Sequence, residues 1–238
     1  MDLITLQLKT SKNFNKNLSK LIKHIEKTPH GSFVLAPELY LTGYAYERLD
    51  KAAKLTEKAV KLLKFLSNNR TIALTMTTEN KGFFYNTLHI FHNGRIIHKQ
   101  SKYKLFVLND ERKYFTAGDH NDIRIIDING VKVGTLICFE LRFIDLWEKL
   151  KGCDIVLIPA MWGKLRKQNL ETLSRALAVA NQCFVVVSDS ANDDMAKSSS
   201  IISPFGEMIK NDSKKVLSSL FDPKEIKKMR RYLPVGIQ

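Results

Sequence analysis

The sequence predicts an α/β protein in which two sheets pack face to face, each covered by its own helices. Strands and amphipathic helices alternate along the 238 residues, and 44% of the residues are apolar. The order strand–helix–strand–helix–strand plus a hairpin occurs in both halves, although their sequences share negligible similarity. Nothing between the halves resembles a linker, so we expect one domain over residues 1–238.

The first half has apolar runs that predict three strands, over residues 3–8, 33–36 and 71–76. Apolar residues at helical spacing lie between them and predict two helices, over residues 14–25 and 52–66. The half ends in a predicted hairpin, residues 84–91 and 96–99, around the turn His92-Asn93-Gly94.

The second half repeats this order of elements. We expect strands over residues 131–137, 155–158 and 184–187, and helices over residues 143–150 and 167–181. A second hairpin, residues 200–203 and 207–209, surrounds Pro204-Phe205-Gly206.

The formal charge is +14, because 38 lysines and arginines outnumber 24 acidic residues. The basic residues are spread along the chain, and the densest run, residues 227–231, lies near the end of a predicted helix, where cations suit the helix dipole. We therefore consider nucleic acid an unlikely partner. No apolar run reaches the roughly 18–20 residues of a membrane span, and the first residues do not resemble a signal peptide. Three widely spaced cysteines argue against a disulfide framework, which favours a cytoplasmic location.

Chemically useful side chains follow several predicted strands, where ligands bind in open α/β folds. Cys138 lies where a buried strand turns into a helix, and the N–H groups and dipole expected there favour a nucleophilic thiolate. The alternative for Cys138 is a buried structural cysteine. Cys153, in a turn, and Cys183, at the start of an apolar strand, are expected to have no catalytic role.

Two further strand ends carry charged residues. Glu38 follows an apolar strand and precedes aromatic and aliphatic residues, which suits a general base. Lys102 follows a hairpin strand and would stabilise an oxyanion if it lay near a reacting carbonyl. Taken alone, each could equally be an ordinary solvated side chain.

Glu38, Lys102 and Cys138 lie in three motifs: residues 37–44 (PELYLTGY), residues 102–106 (KYKLF) and residues 137–143 (ICFELRF). Further matching pieces are Asn86-Thr87-Leu88, Gly94, Glu111, Phe115, Gly118, Ala178, Asn181-Gln182 and Pro204 with Gly206. Together they cover almost the whole chain, in the order and roughly the spacing of one family. The chain resembles the nitrilase or carbon–nitrogen hydrolase superfamily.

This resemblance implies a four-layer α-β-β-α sandwich of the nitrilase type, usually dimerised, with two mixed sheets face to face and outer helices. It also implies a catalytic triad of Glu38, Lys102 and Cys138, assisted by Glu111. It implies no cofactor, and no zinc-site or phosphate-loop spacing occurs in the sequence, so we expect no metal. The chain departs from the family where Glu140 replaces the usual aspartate. The Arg-Ala-x-Glu-Asn helix motif is also incomplete, and Lys197 replaces a usual glycine.

The expected function is that of an amidase that forms a thioester on Cys138 and releases ammonia from a small amide. The expected pocket wall comprises Tyr44, Phe106, Phe139, Arg142 and Trp162, with the Phe139 N–H also stabilising the oxyanion. Arg142 is a candidate for binding a substrate carboxylate, as in an ω-amidase, or for a structural ion pair. The alternatives are an N-carbamoyl amine hydrolase, a nitrilase and an inactive basic binding protein.

A homodimer is expected through the predicted helix over residues 167–181. Its apolar residues at helical spacing are Leu170, Leu173, Leu177 and Ala180. The alternative is that these side chains pack wholly on their own sheet.

Overall fold

The computed structural model describes residues 1–237, which form two six-stranded sheets. The first sheet contains β1 (Asp2–Leu6), β2 (Phe33–Leu35), β3 (Thr71–Asn80), β4 (Phe83–His92), β5 (Arg95–Ser101) and β12 (Val216–Leu220). Its spatial order is β12-β1-β2-β3-β4-β5, with β1, β2 and β3 parallel and the outer strands antiparallel.

The second sheet is also mixed. It contains β6 (Ile126–Ile128), β7 (Val131–Thr135), β8 (Ile155–Pro159), β9 (Phe184–Ser188), β10 (Ser200–Ile202) and β11 (Met208–Lys210). Its spatial order is β11-β10-β9-β8-β7-β6, and β7, β8 and β9 form its parallel centre. Each sheet therefore has a parallel centre, at whose carboxyl edge side chains from successive strands meet.

The helices are α1 (Phe14–Glu26), α2 (Leu49–Leu66), α3 (Glu111–Tyr114), α4 (Ile144–Glu148), α5 (Lys167–Ala180) and α6 (Pro223–Tyr232). The Asn13 side chain accepts a hydrogen bond from the Lys16 N–H and so caps α1. Asp222 caps α6 in the same way, with Pro223 in the first turn. None of these helices, as far as residue 237, is both long and apolar enough to cross a membrane.

The two sheets face each other across a shared core. Thr5 on β1 donates a hydrogen bond to the Val187 carbonyl on β9, and Ser188 donates one to the Leu6 carbonyl, both at 2.6 Å. Side chains of both sheets belong to one apolar cluster, among them Leu3, Leu35, Leu88, Val156, Leu157 and Val186. A second cluster packs α1 and α2 on the outer face of the first sheet, while α4 and α5 join the core of the second. The expected four-layer α-β-β-α sandwich is confirmed.

The helix predicted over residues 143–150 is present but shorter, as α4, and a 3-10 turn over Cys138–Arg142 precedes it. Two strands were missed. The strand β6 was not predicted. The strand β12 was also missed, and it returns from the end of the chain to pair with β1. Short edge strands that contain polar residues show little alternation of apolar and polar side chains. They can be recognised only from the strands with which they pair.

Candidate active site

The loops that follow the ends of both parallel centres meet at one side of the sandwich. Glu38 follows β2, Lys102 follows β5 and Cys138 follows β7. The Glu38 N–H donates to the Ala160 carbonyl beyond β8 at 3.2 Å, which joins the loops of the two sheets. A cavity of about 410 Å³ opens here, and Cys138 is among the residues that line it.

Cys138 lies at a sharp turn between β7 and the 3-10 turn. Its φ is +53°, a left-handed conformation that is unusual for a residue with a side chain. Such strain is often stored at functional sites, and the strand-to-turn geometry is analogous to a nucleophile elbow. The thiol is buried, with 7% of the residue exposed.

The surroundings of Cys138 oppose the thiolate that its backbone position was expected to favour. Burial raises the pKa of the Cys138 thiol well above its ordinary value, and the charge and contact of Glu38 raise it further. The Lys102 charge and the Met161 N–H lower this pKa only in part. No long helix starts at Cys138 to supply a dipole, so the resting group is a thiol. A base must therefore remove its proton.

Lys102 is completely buried between two carboxylates. Its ammonium lies 2.8 Å from Oε1 of Glu38 and 2.8 Å from Oε1 of Glu111. Burial lowers the pKa of Lys102, but the charges of Glu38 and Glu111 outweigh this effect and raise it above its ordinary value. Lys102 therefore remains a cation.

The backbone of Lys102 is fixed on both sides. Its N–H donates to the Asn86 carbonyl at 2.8 Å, and its carbonyl accepts from the Gly118 N–H at 2.9 Å. A Cβ atom at Gly118 would lie 2.1 Å from the Ser101 carbonyl oxygen, so this close approach requires glycine.

Glu38 has one engaged oxygen and one free oxygen. Oε1 accepts hydrogen bonds from Lys102 and, at 2.9 Å, from the Asn86 side chain on β4. Oε2 is buried and accepts no hydrogen bond from any of residues 1–237. Because Oε1 is held in place, Oε2 is the oxygen available to exchange a proton.

Glu111 and Tyr44 complete the polar cluster. The Tyr44 hydroxyl donates to Glu111 Oε1 at 2.7 Å, and Lys102 donates to the same hydroxyl at 3.3 Å. Glu111 Oε2 accepts from the Phe106 N–H at 3.0 Å. Burial and the charges of Glu38 and Glu111 raise the pKa of Tyr44 well above its ordinary value, so it stays protonated. Tyr44, expected in the pocket wall, also fixes Glu111.

The other expected wall residues, Phe106, Phe139, Arg142 and Trp162, also line the cavity. The Arg142 guanidinium lies 4.8 Å from the centre of the Trp162 ring and donates to the Asn169 side chain at 3.3 Å. Among residues 1–237 it forms no ion pair with a carboxylate. The structural ion pair considered for Arg142 is therefore not present.

Arg166 also lines the cavity, although no sequence pattern pointed to it. Its guanidinium lies 5.2 Å from the centre of the Phe106 ring, and it likewise has no carboxylate ion pair within the described chain. Because one arginine in a turn has no distinctive spacing, only the folded chain identifies it. Asn86 belongs to one of the motifs that carry the family resemblance, but its contact with Glu38 could not be predicted from the sequence either.

Cys153 and Cys183 lie in the core and not at the cavity. Burial is the main reason why their pKa values are raised, to a value of about 12 for Cys183. Up to residue 237, no group of three or more His, Cys, Asp or Glu side chains is arranged to hold a metal ion.

Known proteins support the family resemblance. An amidase for 2-oxoglutaramate from Bacillus subtilis is 28% identical over 235 residues, which cover 93% of this chain and 90% of the relative. An omega-amidase of Xenopus laevis is also 28% identical, covering 96% of this chain and 89% of the relative. The Nit3 protein of Saccharomyces cerevisiae, a nitrilase superfamily member of known structure, matches with a TM-score of 0.87 at 23% identity. The match covers 100% of this chain and 96% of that one.

The profile of the carbon–nitrogen hydrolase family matches residues 5–231, which is nearly the whole chain. The two-sheet fold agrees with that match. The chain belongs to the carbon–nitrogen hydrolase family.

Proposed function

We propose that this protein is an amidase that hydrolyses the C–N bond of a small amide and releases ammonia and a carboxylate. The observation that carries the proposal is the buried Lys102 ammonium, 2.8 Å from both Glu38 and Glu111, beside a strained cysteine at a cavity. Burying these charges costs free energy, so such clusters are typical of functional sites.

The first half of the reaction forms a thioester on Cys138. Glu38 Oε2 takes the thiol proton, and the thiolate attacks the amide carbon, so that a C–S bond forms and the carbonyl π electrons move to oxygen. Lys102 and the Phe139 N–H stabilise this oxyanion. No acceptor among residues 1–237 takes a hydrogen bond from the Phe139 N–H. The C–N bond then breaks as Glu38 returns its proton to nitrogen, and ammonia leaves.

The second half hydrolyses the thioester. Glu38 takes a proton from water, and the resulting hydroxide attacks the thioester carbon. The C–S bond breaks, the sulfur regains a proton from Glu38, and a carboxylic acid leaves. The net reaction is amide plus water to carboxylate plus ammonium, with covalent catalysis dividing one difficult step into two easier ones.

The substrate we propose carries an anionic group on its acyl part, as in an ω-amidase reaction. Arg142 and Arg166 both line the cavity and have no carboxylate partner among residues 1–237, and guanidinium groups bind carboxylates in bidentate fashion. The relatives named as amidases of 2-oxoglutaramate or as omega-amidases support the same substrate class. A third amidase relative, from Escherichia coli O157:H7, is named for deaminated glutathione.

We propose a cytoplasmic homodimer through α5, although most of the residues first expected at the interface are not available. Leu170 and Leu177 pack in the core of their own subunit, with Leu173 partly buried against it. Of the expected set only Ala180 lies on the open face of α5, beside Thr172, Arg175, Ala176 and Val179, and Leu165 lies just before the helix. Leu165 is 97% exposed, which is unusual for a leucine beside a cavity and suits a contact with a second copy.

A substrate panel read by ammonia release tests the proposed activity. It contains ω-amides with a distal carboxylate, neutral amides of the same length, N-carbamoyl amines and nitriles. Turnover of the carboxylate-bearing amides by wild type, and none by Cys138→Ala, supports the proposal. Preference for N-carbamoyl amines or nitriles would identify the alternative enzyme classes. No turnover of any compound by folded protein would favour a catalytically inactive basic binding protein.

A further inference from the structure

Glu140 is a completely buried carboxylate that lies outside the proposed triad and does not line the cavity. Its Oε2 accepts a hydrogen bond from the Ile137 N–H at 2.7 Å. Its Oε1 accepts from the Tyr103 N–H at 2.6 Å and from the Lys104 N–H at 3.3 Å. One side chain therefore holds three backbone amides.

These amides belong to the two segments that carry the proposed nucleophile and its cation. Ile137 immediately precedes Cys138 and follows β7 of the second sheet, whereas Tyr103 and Lys104 immediately follow Lys102 and β5 of the first. Glu140 thus joins the turn of the thiol to the loop of the ammonium, across the boundary between the sheets.

A pair of side chains beneath Glu140 strengthens this cross-sheet connection. The Thr135 hydroxyl donates to the Gln100 side-chain oxygen, and the Gln100 amide donates to the Thr135 carbonyl at 3.2 Å. The same amide reaches Glu140 Oε2 at 3.5 Å. All three side chains are buried, so the strand ends on either side of Glu140 are already fixed to each other.

Only a carboxylate satisfies all these donors, because it accepts hydrogen bonds at both oxygens and donates none. A glutamine would place an NH₂ group against an N–H and leave at least one buried donor unpaired. A shift of about 1 Å in a reacting group can cost on the order of 10² in rate.

We infer that Glu140 is a positioning residue that sets the distance between the Cys138 thiol and the Lys102 ammonium by holding their two backbone segments together. The inference rests on the proposed function in one respect: only if the protein is an amidase does the distance between Cys138 and Lys102 affect catalysis. The contacts themselves concern the resting protein.

The charge state of Glu140 gives this role a pH dependence. Burial raises the pKa of Glu140 to about 7, while the N–H groups of Ile137, Tyr103 and Lys104 and the Lys102 charge lower it. Lys102 faces Glu140 from the first sheet, whereas the Lys104 ammonium lies over the Tyr103 and Phe143 rings. Protonation below neutral pH weakens the acceptors, so kcat should fall on the acid side through Glu140.

The test compares Glu140→Gln and Glu140→Asp with wild type. Glu171→Gln is the matched control, because Glu171 accepts hydrogen bonds from Ser198 and Lys210 but lies outside the cavity. Unfolding is followed by circular dichroism. Kinetics are measured with the best amide of the panel, and the alkylation rate of Cys138 by iodoacetamide gives a readout that needs no amide turnover.

We expect Glu140→Gln to lower kcat by about 10- to 100-fold with little change in KM. It should also slow the alkylation of Cys138. The fall in kcat below about pH 7 that is expected for wild type should be absent from this variant. Glu140→Asp keeps the charge but is one methylene shorter, so its kcat should lie between those of the glutamine variant and wild type. If Glu140→Gln does not fold, the aspartate variant decides: a lower kcat at unchanged KM is expected because its carboxylate is one methylene shorter.

A folded Glu140→Gln with wild-type kcat and alkylation rate would overturn the inference. A Glu140→Asp variant whose kcat is no higher than that of Glu140→Gln would also overturn it. If only the aspartate variant folds, wild-type kcat and alkylation rate in that variant would overturn it. A loss no larger than that of Glu171→Gln would show a general structural role and overturn it too. If wild type turns over no amide, the proposed activity fails, while the alkylation rates still decide whether Glu140 positions the thiol.

Discussion

The Lys102 ammonium and the Glu38 carboxylate lie 2.8 Å apart, and both side chains are completely excluded from solvent. Glu111 contacts the same ammonium at 2.8 Å, so one cation is shared between two buried acids. Removing one partner of a buried ion pair is far more costly than removing an exposed one, because it leaves an uncompensated charge. This relationship makes Lys102 both a structural and a chemical centre of the site.

Lys102→Met should lower kcat by on the order of 10²–10³, because the oxyanion loses its cation. It should also destabilise the fold by about 3–5 kcal/mol, since Glu38 and Glu111 lose their buried partner. Denaturant unfolding and ammonia release on the folded fraction measure the two effects. Lys113→Met, on α3 and 69% exposed, is the matched control and should keep both properties. Wild-type turnover by Lys102→Met would exclude a catalytic role for Lys102.

Cys138→Ala should abolish ammonia release while leaving the fold intact, because a small side chain is removed from a turn whose backbone is held elsewhere. Cys153→Ala and Cys183→Ser should keep most of the rate per folded molecule. Cys183→Ser should lose stability because it buries a hydroxyl. Substantial activity in folded Cys138→Ala would exclude it as the nucleophile.

Glu38→Gln should slow the alkylation of Cys138 by iodoacetamide. The raised pKa of the thiol keeps it protonated near neutral pH, and a glutamine cannot accept its proton. The alkylation rate, measured by mass spectrometry from pH 6 to 9, should depend more steeply on pH than in wild type. An unchanged rate throughout that range would mean that Glu38 is not the base.

Arg142→Gln and Arg166→Gln should raise KM for amides with a distal carboxylate and leave KM for neutral amides of equal length nearly unchanged. Each hydrogen bond to a charged group contributes about 1.5–3 kcal/mol, so roughly a 10- to 100-fold change is expected. Steady-state kinetics on the paired substrates measure it. Equal effects on charged and neutral amides would assign both arginines to packing over Trp162 and Phe106.

Light scattering at physiological ionic strength should give about twice the 27.3 kDa chain mass. The charge of +14 on each subunit opposes association, but exposed charges are screened beyond a Debye length of roughly 8–10 Å. Ala176→Glu, on the open face of α5, should give monomers, whereas Lys61→Glu on the exposed face of α2 should not. A wild-type monomer over a hundredfold concentration range would contradict the dimer.

The sequence by itself determined the layered α/β fold and the residues that meet in the site. The spacing of apolar residues identified α1, α2 and α5. When one face of a helix is buried, apolar residues recur every three to four positions, and this period is visible in the local sequence. Strand ends drew attention to Glu38 and Cys138, because a parallel sheet brings the carboxyl ends of its strands to one edge. Lys102 follows the antiparallel strand β5, and the three residues were grouped only by the family resemblance.

Tertiary structure alone decided the features that depend on partners far along the chain. The pairing of β12 with β1, the contact of Asn86 with Glu38, and the guanidinium of Arg166 at the cavity have no local pattern. The protonation of Cys138 was decided in the same way. Local backbone N–H groups suggested a thiolate, but burial and a carboxylate from the other sheet raise the pKa of its thiol. Electrostatic free energy depends on distances through space, and these exist only after the two sheets have packed.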